Sequence, residues 1–241
     1  MVKHYEATDP FIPRFQTGSS GIWKINAGGQ LVNDWGYYSG VCLLEMLPSL
    51  ARKTDPGNTG EGGWETWMSL TPHEIESQEL GYQHACGHTV IMGLGMGWVA
   101  ANAALNPNVS QVSVIEQDAD VLSLFHDSGA FASIPDAARQ KIAIVQADAL
   151  EWQPAAGQGV DFLYVDIWLH LAEPKALQQV RQMQSHVQAA QVYYWGQEIA
   201  IYSALAQLAD NAGSITDELI RQAVRDVVRL PLFIPRAGLC T

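Results

Sequence analysis

A chain of 241 residues, 48% of them hydrophobic, is long enough to bury a large core, and this composition excludes disorder throughout. Its 13 basic and 25 acidic side chains give a formal net charge of −12, which disfavours nucleic acid as a partner and favours a small-molecule or cationic substrate. Solubility alone is an alternative explanation of this charge. No apolar run reaches the ~18 residues needed to span a bilayer, the first ten residues do not resemble a secretory signal, and the three cysteines are widely spaced. We therefore expect a cytoplasmic protein that does not bind membranes.

The N-terminal part of the chain is predicted to be rich in β-structure. Two apolar segments, residues 22–25 and 30–32, flank the pair Gly28-Gly29 and predict a hairpin. Residues 37–46 form a second apolar run that fits either a strand or a helix. Residues 52–63 are rich in glycine and polar side chains and predict an exposed loop.

This loop is the predicted domain boundary. It separates an N-terminal β-rich appendage, residues 1–63, from a main domain, residues 64–241. The main domain opens with a helix. At its start, Thr71 supplies a capping hydroxyl, Pro72 occupies the first helical position and Glu74 stands in capping-box spacing. Gly87 is expected to close that helix.

Strand-like and helix-like segments then alternate to the end of the chain. Uniformly apolar strands separated by helices indicate a parallel sheet covered on both faces. The predicted strands are residues 88–92, 111–116, 141–146, 160–166, 190–195 and a closing strand at 230–234. The predicted helices are residues 98–106, 119–125, 174–186, 197–209 and 214–228, the last capped by Ser214. The expected fold is therefore α/β, a Rossmann-like, doubly wound and mostly parallel sheet with a small N-terminal β-rich appendage.

Three alternating glycines lie between the first of these strands and its helix. Gly93, Gly95 and Gly97 permit tight backbone angles and close approach of a ligand, and the helix that follows offers its amino-terminal N–H groups. Ligands of such sheets bind at the carboxyl ends of the strands, so the glycines mark the expected binding edge. The dinucleotide fingerprint has a third glycine where Trp98 stands, which disfavours a nicotinamide or flavin cofactor. A tight turn without a ligand is the alternative.

Three carboxylates end the next predicted strands. Glu116 is placed to accept hydrogen bonds from ribose hydroxyls, and Asp148 is placed to accept one from the exocyclic amino group of an adenine. Asp166 ends the following strand, next to the expected position of a transferred group. Acids ending apolar strands are unfavourable there without ligands or partners, although each alone also fits a helix cap or a solvated strand end.

Together and in this order, the glycine turn and the segments VIEQD, ADALEW and VDFLYVDIW resemble class I S-adenosylmethionine-dependent methyltransferases, most closely their spermidine-synthase-like branch. The resemblance covers about a third of the chain, residues 88–174. It implies S-adenosylmethionine as the cofactor, with the glycines facing its methionine part, Glu116 the ribose, Asp148 and Ala149 the adenine, and Asp166 the methionine amino group. The cofactor-binding residues assigned in this way are Gly93, Gly95, Gly97, Glu116, Gln117, Asp148, Ala149 and Asp166. Relatives of this type often form dimers, which makes a homodimer one expected state.

Two departures bear on the reaction. Gln117 stands where the family usually packs an apolar residue on the adenine. Aminopropyltransferases carry a second acid shortly after the position of Asp166, and residues 167–170 contain none. The predicted function is therefore methyl transfer to a small molecule, with aminopropyl transfer and a catalytically silent cofactor-binding protein as alternatives.

The predicted catalytic residues are Asp166 and His170, the latter as a general base, with an idle loop histidine as the alternative. Further side chains expected near the pocket, as walls or as a lid, are Trp64, Trp67, Trp168, Tyr194, Trp195, Gln197 and Glu198. His84, Cys86 and His88 are spaced like metal ligands, but Gly87 interrupts the helix and His88 enters a buried strand, so no metal site is expected.

Overall fold

The computed structural model describes residues 3–5, 10–28, 32–44, 47–55, 57, 62–208 and 215–235. In this part of the chain a five-stranded parallel sheet lies between layers of helices, and two smaller sheets are formed by the N-terminal residues. The α/β, Rossmann-like architecture is therefore confirmed. Within the same residues, none of the helices combines the length and the apolar character that crossing a bilayer requires.

The strands are β1 (Lys3–Tyr5), β2 (Gly18–Ser20), β3 (Trp23–Asn26), β4 (Val32–Trp35), β5 (Val41–Leu44), β6 (Ser49–Lys53), β7 (Trp64–Ser69), β8 (Gly87–Met92), β9 (Val109–Glu116), β10 (Ile142–Gln146), β11 (Phe162–Val165) and β12 (Gln191–Tyr194). The helices are α1 (Pro72–Gln83), α2 (Trp98–Leu105), α3 (Ala119–Asp127), α4 (Ala130–Ser133), α5 (Asp136–Arg139), α6 (Ala176–Val187), α7 (Gln197–Leu208) and α8 (Asp217–Ala223). A π-helical turn, Val224–Val228, continues α8.

The central sheet has the strand order β10-β9-β8-β11-β12, with every neighbouring pair parallel. The chain winds outward from β8 through β9 to β10, then crosses back to β11 beside β8 and continues to β12. The winding direction therefore reverses between β8 and β11. In open α/β sheets the carboxyl edge at this reversal is where ligands bind.

Each face of the central sheet is buried by its own core. Ile91 and Tyr164 point to the face covered by α1, α2, α3 and the four-stranded N-terminal sheet formed by β2, β3, β6 and β7. Val90 and Leu163, one residue earlier on the same strands, point to the face covered by α6, α7 and α8. Burial on both faces explains why these strands are apolar without alternation.

At α1 the capping hydroxyl and the proline are confirmed, whereas the Glu74 side chain accepts from the backbone N–H of Ser69 and not from that of Thr71 as a capping box requires. The Thr71 hydroxyl accepts a hydrogen bond from the backbone N–H of Glu74, 3.2 Å away, and Pro72 is the first helical residue. Because α1 already ends at Gln83, Gly87 does not close it and instead begins β8.

Two expectations at the C-terminal end are wrong. Thr216 caps α8, accepting a hydrogen bond from the backbone N–H of Leu219 at 3.2 Å, whereas Ser214 lies outside the described residues. In place of a closing strand at 230–234, Leu232 forms a single parallel bridge with Val192. A single bridge places the segment beside β12, but it is too short to be a strand of the sheet.

The hairpin expected around Gly28 is also wrong. Both edges of β3 are occupied, by β2 on one side and by β6 on the other, and β4 pairs with β5 instead. Residues 29–31 lie outside the described part of the chain. The polar segment at 52–63 connects β6 to β7, and its first two residues, Arg52 and Lys53, belong to β6. A domain boundary at residue 63 would pass between these two paired strands.

The four-stranded N-terminal sheet, β2-β3-β6-β7, is attached to the start of α3. The Ser20 hydroxyl donates to Asp120 at 2.7 Å, and the Trp23 indole N–H donates to Asp118 at 2.7 Å. A bulge interrupts the β6–β7 ladder, because Leu50 pairs with Met68 while the next residue, Ala51, pairs with Thr66. Trp67 is the extra residue of this bulge.

A candidate ligand-binding cavity

A cavity of about 430 Å³ lies where the carboxyl edge of the central sheet faces the N-terminal sheet. Its volume is within the range of pockets that hold small ligands and cofactors. The predicted site residues that line it are Gly93, Gly95, Glu116, Gln117, Asp148, Ala149 and Asp166. The winding reversal and the expected binding edge therefore coincide with one cavity.

Two predicted site residues lie elsewhere. His170 is exposed and is not part of the cavity wall. Gly97 is buried, has a φ of +73°, and packs so closely on the ring of Phe125 that a Cβ atom would overlap it. Gly97 therefore serves the packing of α2 against α3.

The other two glycines of the turn are also required by the protein's own packing. Gly93 has a φ of +96°, and a Cβ atom there would overlap the carbonyl oxygen of Asp166. Gly95 has a φ of +52° and packs against the sulfur of Met68 on β7. The glycine pattern by itself therefore explains the shape of the turn without identifying a ligand.

The carboxylate of Glu116 connects the glycine turn to the loop after β9. One of its oxygens accepts from the backbone N–H of Leu94 at 3.1 Å and the other from that of Asp118 at 2.9 Å. Burial raises the pKa of Glu116, against the lowering effect of these donors. Since a carboxylate can accept about four hydrogen bonds, Glu116 retains acceptor capacity for a ligand.

The residues expected around the adenine lie at the opening of the cavity. Asp148 and Gln117 are exposed, and Ala149 is buried. Asp148 accepts from the backbone N–H of Leu150 at 2.9 Å, which fixes the turn after β10. A ligand in this position would contact a polar rim above a small apolar surface.

Two partly buried acids, Asp166 and Glu74, form the inner part of the cavity. Asp166 accepts from the side-chain amide of Gln78 at 3.2 Å, and Gln78 in turn accepts from the hydroxyl of Tyr164 at 3.0 Å. Burial raises the pKa of Asp166 to about 7. For Glu74, burial and then the nearby charge of Asp166 raise the pKa to about 8, although the backbone N–H of Ser69 donates to it at 2.9 Å.

Glu74 and Gln78 were missed at the level of sequence. The sequence pattern identifies Glu74 only as a capping residue and does not distinguish Gln78 from other polar residues of the helix. Their spacing of four places both on one face of α1, and both line the cavity. That spacing of polar side chains on a helix that precedes the glycine turn was the signal available.

Tryptophans cover much of the remaining wall. Trp67, Trp168 and Trp195 line the cavity, as expected, whereas Trp64, Tyr194, Gln197 and Glu198 do not. The indole N–H of Trp168 donates to Gln179 at 2.6 Å, and that of Trp195 to Ser77 at 2.9 Å. Trp98 also lines the cavity, and its indole nitrogen is buried without a hydrogen-bond partner in the described part of the protein.

The histidines considered as metal ligands are engaged in other contacts. One ring nitrogen of His88 lies 2.8 Å from the carbonyl oxygen of Gly159, and the other lies 2.9 Å from the hydroxyl of Ser113. The ring of His84 stacks on Phe233 with centroids 4.3 Å apart. His88 thus forms contacts within the fold, at the start of β8, and does not line the cavity.

No family model and no curated protein sequence matches this chain. Several solved structures match part of it. Spermidine synthase from Thermotoga maritima is 16% identical, with 70% of this chain and 52% of that chain covered and a TM-score of 0.38. A putative RNA methyltransferase from Pyrococcus horikoshii is 17% identical over 54% of this chain and 62% of its own, with a TM-score of 0.38.

The glycopeptide N-methyltransferase MtfA, complexed with S-adenosyl-L-methionine, is 18% identical over 46% of this chain and 48% of its own, with a TM-score of 0.33. The matches thus include methyltransferases and a spermidine synthase, as the sequence motifs implied. This chain spans about half to three fifths of the length of these structures. TM-scores below 0.5 assign it neither a function nor a ligand.

Proposed function

We propose that this protein is an S-adenosylmethionine-dependent methyltransferase that binds its cofactor in the cavity and acts on a small molecule. One observation carries the proposal. The glycine turn after β8 and the carboxylates that follow β9, β10 and β11, namely Glu116, Asp148 and Asp166, line a single cavity where the winding of the sheet reverses.

The donors and acceptors present fit this cofactor. Glu116 has acceptor capacity for ribose hydroxyls, and Asp148 can accept from the adenine amino group. Trp98 contributes an aromatic side chain to the wall that a ligand would contact. The sulfonium and amino groups of S-adenosylmethionine are cationic, and an acidic cavity attracts them.

S-adenosylmethionine supplies an activated methyl group on a positively charged sulfur. The protein has to align an acceptor with that group and, where the acceptor is protonated, to remove its proton. Asp166, with its pKa raised to about 7, is partly ionised at neutral pH and is suited to take up a proton, whereas Glu74, with its pKa raised to about 8, is mostly protonated there. We therefore assign this role to Asp166 in place of the exposed His170.

Calorimetric titration with S-adenosylmethionine and S-adenosylhomocysteine tests the proposal. The wild-type protein is expected to bind both, and Glu116→Gln to weaken both by about 10- to 100-fold, because one acceptor of the ribose hydroxyls becomes a neutral amide. Glu151→Gln is the matched control, since Glu151 is an exposed acid outside the cavity wall. Absence of binding by the wild-type protein would refute the proposal.

Aminopropyl transfer is a second candidate because of Glu74. Residues 167–170 lack the second acid of aminopropyltransferases, but Glu74 on α1 supplies a carboxylate close enough to interact electrostatically with Asp166. Incubation with putrescine and decarboxylated S-adenosylmethionine, followed by mass spectrometry, distinguishes the two reactions. Formation of spermidine would favour this second candidate over methyl transfer.

A further inference from the structure

Arg52 is the one basic side chain among the described residues that line the cavity. It belongs to β6, where it pairs in register with Trp23 of β3, and it is half-buried. Its guanidinium carbon lies 4.6 Å from the ring centre of Trp67 and 5.9 Å from that of Trp23. These two rings meet edge to face, with centroids 5.4 Å apart. The guanidinium is therefore held by cation–π contacts against an aromatic wall.

The guanidinium has no anionic partner within the described part of the protein. Its cross-strand neighbour on β7 is Glu65, and the two form no ion pair. Two other arginines have acceptors within the protein: Arg139 pairs with Asp136, and Arg181 donates to the carbonyl oxygen of Val228 at 2.9 Å. Stacking on a ring uses the face of the guanidinium and leaves its N–H edge for a planar anion such as a carboxylate.

The surrounding charges restrict which anion fits. Five carboxylates also line the cavity: Glu74, Glu116, Asp118, Asp148 and Asp166. They disfavour a phosphate with two negative charges, but they are compatible with an amino-acid group that carries both an ammonium and a carboxylate. The acidic lining of the cavity can pair with the ammonium, and Arg52 with the carboxylate.

The sheet that carries Arg52 also contacts the glycine turn. Met68, on the strand paired with β6, packs its sulfur against Gly95, so this sheet covers the turn on which the methionine part of the cofactor is proposed to lie. We propose that Arg52 binds the α-carboxylate of the methionine moiety, and that it thereby selects S-adenosylmethionine over its decarboxylated form. This inference rests on the proposed function. It also separates methyl transfer from aminopropyl transfer, which uses the decarboxylated compound.

Calorimetry with three adenosine compounds tests this role. S-adenosylhomocysteine carries the carboxylate, decarboxylated S-adenosylmethionine lacks it, and 5′-methylthioadenosine lacks the whole amino-acid group. The wild-type protein is expected to bind the first more tightly than the second. Arg52→Gln should weaken S-adenosylhomocysteine by about 10- to 100-fold and 5′-methylthioadenosine by less than about 3-fold. Arg52→Lys, which keeps the charge but not the planar fork, should fall between wild type and Arg52→Gln.

Lys24→Gln is the matched control, because Lys24 lies over Trp64 on the same sheet and does not line the cavity. It should leave all three affinities unchanged, and thermal unfolding should show that every variant is folded. Equal weakening of S-adenosylhomocysteine and 5′-methylthioadenosine by Arg52→Gln would overturn the inference. Arg52 would then affect binding only by supporting the tryptophan side chains of the cavity wall, and not by contacting the carboxylate. Unchanged affinities would also overturn it, and they are the result expected if Arg52 instead serves a carboxylate of the acceptor. Failure of the wild-type protein to bind any of the three would refute the proposed function and this inference with it.

Discussion

Replacing Glu74 by glutamine is expected to make the folded protein more stable at alkaline pH, with little effect at pH 5. Burial raises the pKa of Glu74 from 4.5 to about 8. An acid whose pKa is raised on folding binds its proton more tightly in the folded state. Its contribution to stability is therefore fully present below the unfolded pKa and is lost as the pH rises through the folded pKa. Glutamine removes this loss, and its side-chain oxygen can still accept from the backbone N–H of Ser69.

The size of the effect follows from the pKa difference. A rise from 4.5 to about 8 gives a ceiling of about 5 kcal/mol by pH 9, at about 1.4 kcal/mol for each pH unit between the two values. Water entering the cavity beside an ionised carboxylate relieves part of this penalty. We therefore expect Glu74→Gln to exceed wild type by about 2 to 4 kcal/mol in unfolding free energy at pH 9.

Urea unfolding at pH 5, 7 and 9, followed by circular dichroism, measures this difference. The gap between Glu74→Gln and wild type should be close to zero at pH 5 and should widen steadily to pH 9. Glu151→Gln, which changes an exposed acid, should follow wild type at all three pH values. A gap that is constant with pH, or one that narrows toward pH 9, would contradict the assignment of Glu74 as a buried, protonated acid.

Three further predictions concern stability. Gly97→Ala should destabilise the protein by about 2 to 4 kcal/mol in urea unfolding, because the φ of +73° disfavours a Cβ atom and the ring of Phe125 leaves no room for one; an effect below 1 kcal/mol would show that α2 and α3 can separate there. Thr71→Ala should lose about 1 kcal/mol with the α1 cap, and Thr71→Ser should restore most of it, as thermal unfolding can show. His88→Phe should lower the unfolding free energy by about 2 to 3 kcal/mol by leaving Ser113 and the carbonyl of Gly159 without a partner; unchanged stability in urea would mean that these contacts are replaced by water.

The central sheet was predictable because its signals are local. Each strand is a short, mainly apolar run, and a glycine or an acid stands at its end or within two residues after it. Since the carboxyl ends of parallel strands share one edge, Glu116, Asp148 and Asp166 could be placed together before any coordinates were known. Gly93 and Gly95 line the same cavity, as expected from the turn.

The N-terminal sheet was not predictable in the same way because its pairings are not local. β3 pairs with β6, more than twenty residues away, so the nearby Gly28 gave a misleading signal for a hairpin. Arg52 was assigned to an exposed loop because the polar residues after it dominate the segment. Arg52 stands two residues after Leu50, so in a strand both side chains lie on the same face. This spacing was a weaker signal that Arg52 is turned toward the cavity.

The bulge in the β6–β7 ladder, opposite Leu50 and Ala51, determines which side chains of β7 line the cavity. In an uninterrupted ladder, consecutive residues alternate between faces, and Trp67 and Met68 could not both reach the same space. The additional residue lets one short strand present an aromatic ring to Arg52 and a thioether to Gly95 at once. Removing the additional residue would restore strict alternation along β7, so these two contacts depend on the length of the strand as well as on its composition.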